Sequence, residues 1–141
     1  MSFGFSATDF VAGISLVKDL IQALQDSKGS SKEYLELITE LRSLETALIE
    51  VKSLDLEVEQ RAQRAALREA ATECQRTIDK FLQELVKYQP HLRLGGSLSS
   101  WRDGFRKIQW RLCQKEELVR FRAEIGFHAH SIHMLMLGIQ V

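Results

Sequence analysis

Apolar residues recur along this chain at helical spacing almost from end to end. Phe10, Ile14, Val17, Ile21 and Leu24 follow one another at intervals of three or four, while Ser15, Lys18, Asp19, Gln22 and Gln25 do the same on another face. That pattern predicts an amphipathic helix over residues 7–26. Ser6 and Asp9 stand at capping-box spacing before it, where side chains satisfy the free amides of a first turn. Ser27 to Ser31 reads as a loop, and Ser30 with Glu33 repeats the capping-box spacing at the start of a second helix. Tyr34, Leu37, Ile38, Leu41, Leu44, Leu48 and Val51 then form a near-heptad seam, with Glu36, Glu40, Glu45 and Glu50 away from it. Such a seam needs another helix packed along its whole length.

A break at Ser53 to Asp55 precedes the longest predicted element, a helix over residues 56–88 with Ala66, Ala70, Cys74, Ile78, Phe81, Leu82 and Leu85 in its stripe. It stops at Gln89-Pro90, because the residue before a proline is pushed out of the helical region. Residues 90–100 form a hinge loop around Gly95-Gly96. A helix with Trp101, Phe105 and Ile108 follows, then a bend over Trp110 to Gln114. The last helix covers residues 115–138 with Leu118, Phe121, Ile125, His128, Ile132, Leu135, Met136 and Ile139 facing inward. No stretch alternates with period two. The fold class expected is all-α: an antiparallel bundle of four to five helices with a long third helix, in a single domain over residues 1–141.

Composition narrows the function classes. A chain of 141 residues with 45% hydrophobic and 27% charged residues can build one core without staples. Its two cysteines, Cys74 and Cys113, have neither metal nor redox spacing, which fits small buried hydrophobes in a reducing, cytoplasmic setting. The N-terminus lacks a basic region of the secretory kind, and Lys18-Asp19 interrupts the apolar run, so neither a signal peptide nor a constitutive span is expected. Ser2 excludes N-myristoylation, which needs glycine there. Net charge is zero but unevenly spread. Residues 1–60 carry 11 acidic and 5 basic side chains (net −6), and residues 61–141 carry 8 and 14 (net +6). Opposite halves of this kind attract each other within a fold or between chains.

Candidate chemistry is sparse. Glu116-Glu117 point in different directions on a helix and make no acid–base pair. His128, His130 and His133 lack a nearby Cys, Asp or Glu to complete a tetrahedral metal set. Phosphate-cradling loops and nucleophile elbows are missing from the sequence, so no enzyme and no cofactor is expected. Two surfaces are left. Phe3, Phe5 and Phe10 with Ile14, Val17, Ile21 and Leu24 are candidates for membrane insertion, or else belong to the bundle core. Trp101, Arg102, Arg106, Lys107, Arg111 and Lys115, continued by Arg120 and Arg122 around Trp110, are candidates for an anionic surface, or else form a solvated face over core tryptophans. Each basic side chain near anionic lipid contributes about 1 kcal/mol. Nucleic acid is not an expected partner, since no recognition motif accompanies these residues.

The opening Met1-Ser2-Phe3-Gly4-Phe5-Ser6, followed by Asp9-Phe10 and an apolar helix, resembles the helical, HeLo-like N-terminal domain of fungal STAND (NLR-like) proteins. Ser43-Leu44 before a Leu-Ile-Glu run, the central Cys74, Lys87-Tyr88, the basic segment from Trp101 to Arg111 and the final helix are similar too. Such domains resemble the HeLo domain of fungal prion-controlled toxins. More distantly, they are similar to the executioner bundle of the mixed-lineage kinase-like pseudokinase and to the coiled-coil domains of plant resistance proteins. The resemblance implies an effector module of cell death or innate immunity. In such systems a C-terminal NTPase and repeat region senses a ligand and clusters these bundles. The clustered bundles self-associate and engage anionic lipid, moving from the cytoplasm to the plasma membrane. A purely structural oligomerising module is the alternative.

Overall fold

The computed structural model describes residues 7–27, 32–53, 61–87, 89, 108, 110 and 113–139. They hold four helices: α1 (Ala7–Asp26), α2 (Lys32–Lys52), α3 (Arg61–Val86) and α4 (Lys115–Ile139). No strand occurs among the described residues. The all-α bundle read from the spacing is therefore the fold. The bounds of α1 coincide with those expected. Both α1 and α2 end on a serine that satisfies an otherwise orphaned carbonyl: Ser27 donates to Leu24 O through N–H (3.3 Å) and hydroxyl (2.6 Å), and Ser53 donates likewise to Glu50 O (3.2 and 2.8 Å). The expected third helix over 56–88 is seen as Arg61–Val86, 26 residues and about 39 Å long at 1.5 Å per residue. Residues 56–60 and Tyr88 lie outside the described residues. So do residues 98–107 of the helix expected around Trp101 and Phe105.

Cross-helix contacts fix the topology. Gly13, early in α1, faces Leu48, late in α2, so these two are antiparallel neighbours. Thr77 meets His128 and Phe81 meets Phe121, which makes α3 and α4 antiparallel as well. Between α2 and α4 the order is different. Glu33 contacts Lys115, Glu36 contacts Arg122, and a Cβ at Gly126 would lie 2.9 Å from Glu40 Oε2. Both series rise together, so α2 and α4 lie side by side and parallel. The helices follow one another round the core as α1, α2, α4, α3, with α1 packed chiefly on α2 and only lightly on α3.

One continuous core joins all four helices, centred on fully buried residues such as Leu24, Leu41, Leu44, Ile78, Leu82 and Leu85. Aromatic rings close one end. Phe81 stacks on Phe121 with centroids 4.0 Å apart and on Trp110 at 6.1 Å, and Trp110 meets Tyr34 edge-on at 6.4 Å. This layer ties the start of α2, the end of α3, the start of α4 and the connecting segment together. Offset and edge-on ring pairs add to the area term. The bend expected after Trp110 is present: Cys113 N–H donates to Trp110 O at 3.0 Å, and Gln114 O receives the first amides of α4.

Candidate functional site

The first candidate surface is the apolar face of α1. Ile14, Val17, Ile21 and Leu24 are all buried, Val17 at 1% exposure and Leu24 at 0%. Leu16, Leu20 and Ala23, not anticipated as part of the stripe, are buried beside them. At 100° per residue the buried set covers about 180° of arc, half the circumference of the helix. Lys18, Gln22 and Gln25 occupy the exposed half, and Gln22 donates to Asp26 Oδ1 at 2.9 Å. Phe3, Phe5 and the Phe10 side chain lie outside the described residues. In the folded bundle, the described part of the insertion candidate is core.

Of the anionic-surface candidates, Trp101, Arg102, Arg106, Lys107 and Arg111 lie outside the described residues. Lys115 is exposed at the start of α4, with its Nζ 3.4 Å from Glu33 Oε1. The Glu33 carboxyl is held below its ordinary range, first by its own backbone N–H and then by Lys115. Further along the same two helices, Arg122 Nε lies 3.5 Å from Glu36 Oε2. Both pairs join the basic second half of the chain to the acidic first half, so the charge asymmetry is used at least partly inside the fold. Exposed pairs of this kind are screened by solvent and contribute little to stability.

The three histidines of α4 take different positions. His128 is half-buried against α3, where its Nε2 and Thr77 Oγ1 share a hydrogen bond of 2.7 Å. Burial lowers its pKa from the usual 6.5, opposed by the nearby carboxylates of Glu124 and Glu73. His130 is exposed and His133 half-buried. Among the described residues, no three His, Cys, Asp or Glu side chains are grouped to hold a metal. Cys74 is buried and its thiol is pushed up to about 12 by burial, which suppresses the thiolate. Cys113 is half-buried.

The cleft between α3 and α4, lined by Thr77, Phe81, Glu117 and Phe121 among others, has a volume of about 10 Å³, room for a single water. A groove of about 260 Å³ by Arg68, Glu69 and Thr72 lies along α3 alone and converges on no shared group. No described helix is long and apolar enough to cross a membrane. The exposure of Phe127, Met134 and Leu137 on α4 was not anticipated, because the sequence pattern assigned that helix one inward face. No family model, curated protein or solved structure matches this chain.

Proposed function

We propose that this chain is a cytoplasmic effector or signalling domain that self-associates and, once clustered, engages anionic membrane through α1, in the manner of the fungal NLR-like domains its opening resembles. The observation that carries the reading is the placement of α1. Its half-circumference of apolar residues packs chiefly on one neighbour, so the helix can leave as a unit. Among residues 1–24 only Asp9, Lys18 and Asp19 are charged. Burial of six large aliphatic side chains holds α1 with on the order of 10 kcal/mol, comparable to the whole stability of a domain this size. An isolated bundle therefore keeps α1 docked, and release requires lipid or neighbouring copies to bury the same face. Asp9 needs a proton or a partner on insertion.

The test is dye leakage and co-sedimentation with anionic and neutral vesicles across a range of protein concentrations. Leakage is expected to rise steeply with concentration on anionic vesicles. Phe3→Asp or Phe5→Asp should abolish it while the helical circular dichroism is kept. Absence of binding to either vesicle would sink the reading.

The second reading is a structural interaction module with no membrane role. It is favoured by Val17 and Leu24 lying at the centre of the core and by the ion pairs that use the two charge halves against each other. It predicts self-association with no vesicle binding at any concentration.

A further inference from the structure

The helix α4 has two apolar faces. The inner one carries Leu118, Phe121, Ile125, Ala129, Ile132 and Met136, all buried. On the opposite side, about 180° round the helix at 100° per residue, Arg120, Ala123, Phe127, His130, Met134 and Leu137 follow at alternating spacings of three and four. All six are exposed, with Phe127 at 67%, Met134 at 55% and Leu137 at 57%. These six exposed positions have the alternating three–four spacing of a coiled-coil a/d repeat. A scattered exposed apolar residue needs no explanation, but a continuous stripe in one register marks an interaction surface.

We infer that the outer face of α4 pairs with the same face of a second copy of this chain, the two helices running antiparallel about a two-fold axis. Three features select this occupant. Residues 125–141 contain no Asp, Glu, Lys or Arg, so two copies meet there without like-charge repulsion and without a charge that calls for a different partner. The stripe is also complementary to itself when reversed. Pairing Phe127 with His130 of the second copy sets Ala123 opposite Met134 and Arg120 opposite Leu137. Small then meets large, ring meets ring, and the Arg120 cation sits near the negative end of the other helix. A parallel pair would instead set Arg120 on Arg120 and leave a gap between two copies of Ala123. Finally, the seam from Arg120 to Leu137 is about 27 Å long, which places the buried area at the lower end of specific interfaces and makes the pair concentration-dependent.

This inference rests on the self-association in the proposed function and gives it a surface; it does not depend on any membrane activity. Sedimentation equilibrium from about 10 μM to about 1 mM, the range where interfaces of this size assemble, should show a monomer–dimer equilibrium. Phe127→Glu and Met134→Glu should each weaken it about tenfold or more with the thermal melt unchanged, since both side chains are exposed in the monomer. In a Cys113→Ser background, mixing Ala123→Cys with Met134→Cys should give a disulfide-linked heterodimer under mild oxidation, whereas Ala123→Cys alone should not cross-link. Cross-linking of Ala123→Cys to itself would overturn the antiparallel pairing. A dimer indifferent to both Glu substitutions would overturn this surface but leave self-association standing. A monomer at every concentration would overturn both.

Discussion

Helices α1 and α4 are both poor in charge over a long stretch, and the fold uses them in opposite ways. In α1 the apolar residues crowd into one half of the circumference, and that half is turned into the core. In α4 they are divided between two opposed faces, of which only one can be buried by a single bundle. The same apolar content thus gives a helix held by its own domain in one case and a helix with an unused seam in the other. What decides is angular distribution, not hydrophobicity. A switch that exposes apolar surface must undock α1, at a cost near the whole stability of the domain, whereas α4 presents its outer face at no cost.

The comparison can be broken most directly with Leu20→Ala. This side chain is fully buried in α1, and the substitution should cost about 2–5 kcal/mol in urea denaturation; a loss below about 1 kcal/mol would show that α1 is not held by the core. Gly126→Ala sharpens the account of the parallel α2–α4 crossing. The added methyl meets only the mobile end of Glu40, so the helix-propensity gain should prevail, with about 0.5–1 kcal/mol of added stability. Destabilisation there would mean that the two backbones cannot yield.

A smaller effect is expected from His128. Its folded pKa is lowered by burial, so the folded state binds fewer protons than the unfolded chain, whose value is 6.5. The stability it contributes is complete above about pH 6.5 and is lost as pH falls below it toward the folded value. Denaturation midpoints of the native chain and His128→Gln should converge at low pH; parallel curves from pH 5 to 8 would remove His128 from the account. Smallest of all is Phe127→Ser, which should leave monomer stability within about 0.5 kcal/mol when measured well below the concentration of dimerisation.

Much of this fold was legible in the spacing. The bounds of α1, the seam of α2 and the buried Cys74, Ile78, Phe81, Leu82 and Leu85 of α3 all follow from period and breakers. At the start of α3 the stripe shifts by one residue: Leu67 is buried where Ala66 was expected, because the larger side chain rotates toward the core. The second row on α1, Leu16, Leu20 and Ala23, was not legible, since arc width depends on how many neighbours a helix meets. Nor was the parallel contact of α2 with α4, because charge halves and short loops name no particular pair. The outer stripe of α4 escaped for a related reason: two opposed apolar faces cancel the one-sided periodicity by which a helix face is recognised. The candidate site was legible only as a list of apolar positions. That the α1 stripe is turned into the core was one of two readings its spacing left open, and the packing against α2 decides it for the folded bundle.

The parallel pairing of α2 with α4 has a consequence for how the chain is made. Positions 33 and 115 must meet, so α2 is synthesised long before the helix that covers its second flank. On a ribosome working at about 5–20 residues per second, the α1–α2 hairpin waits several seconds with that flank bare. Chains cut short before Lys115 should accordingly be the sticky ones, because α4 is the helix that covers this flank of α2.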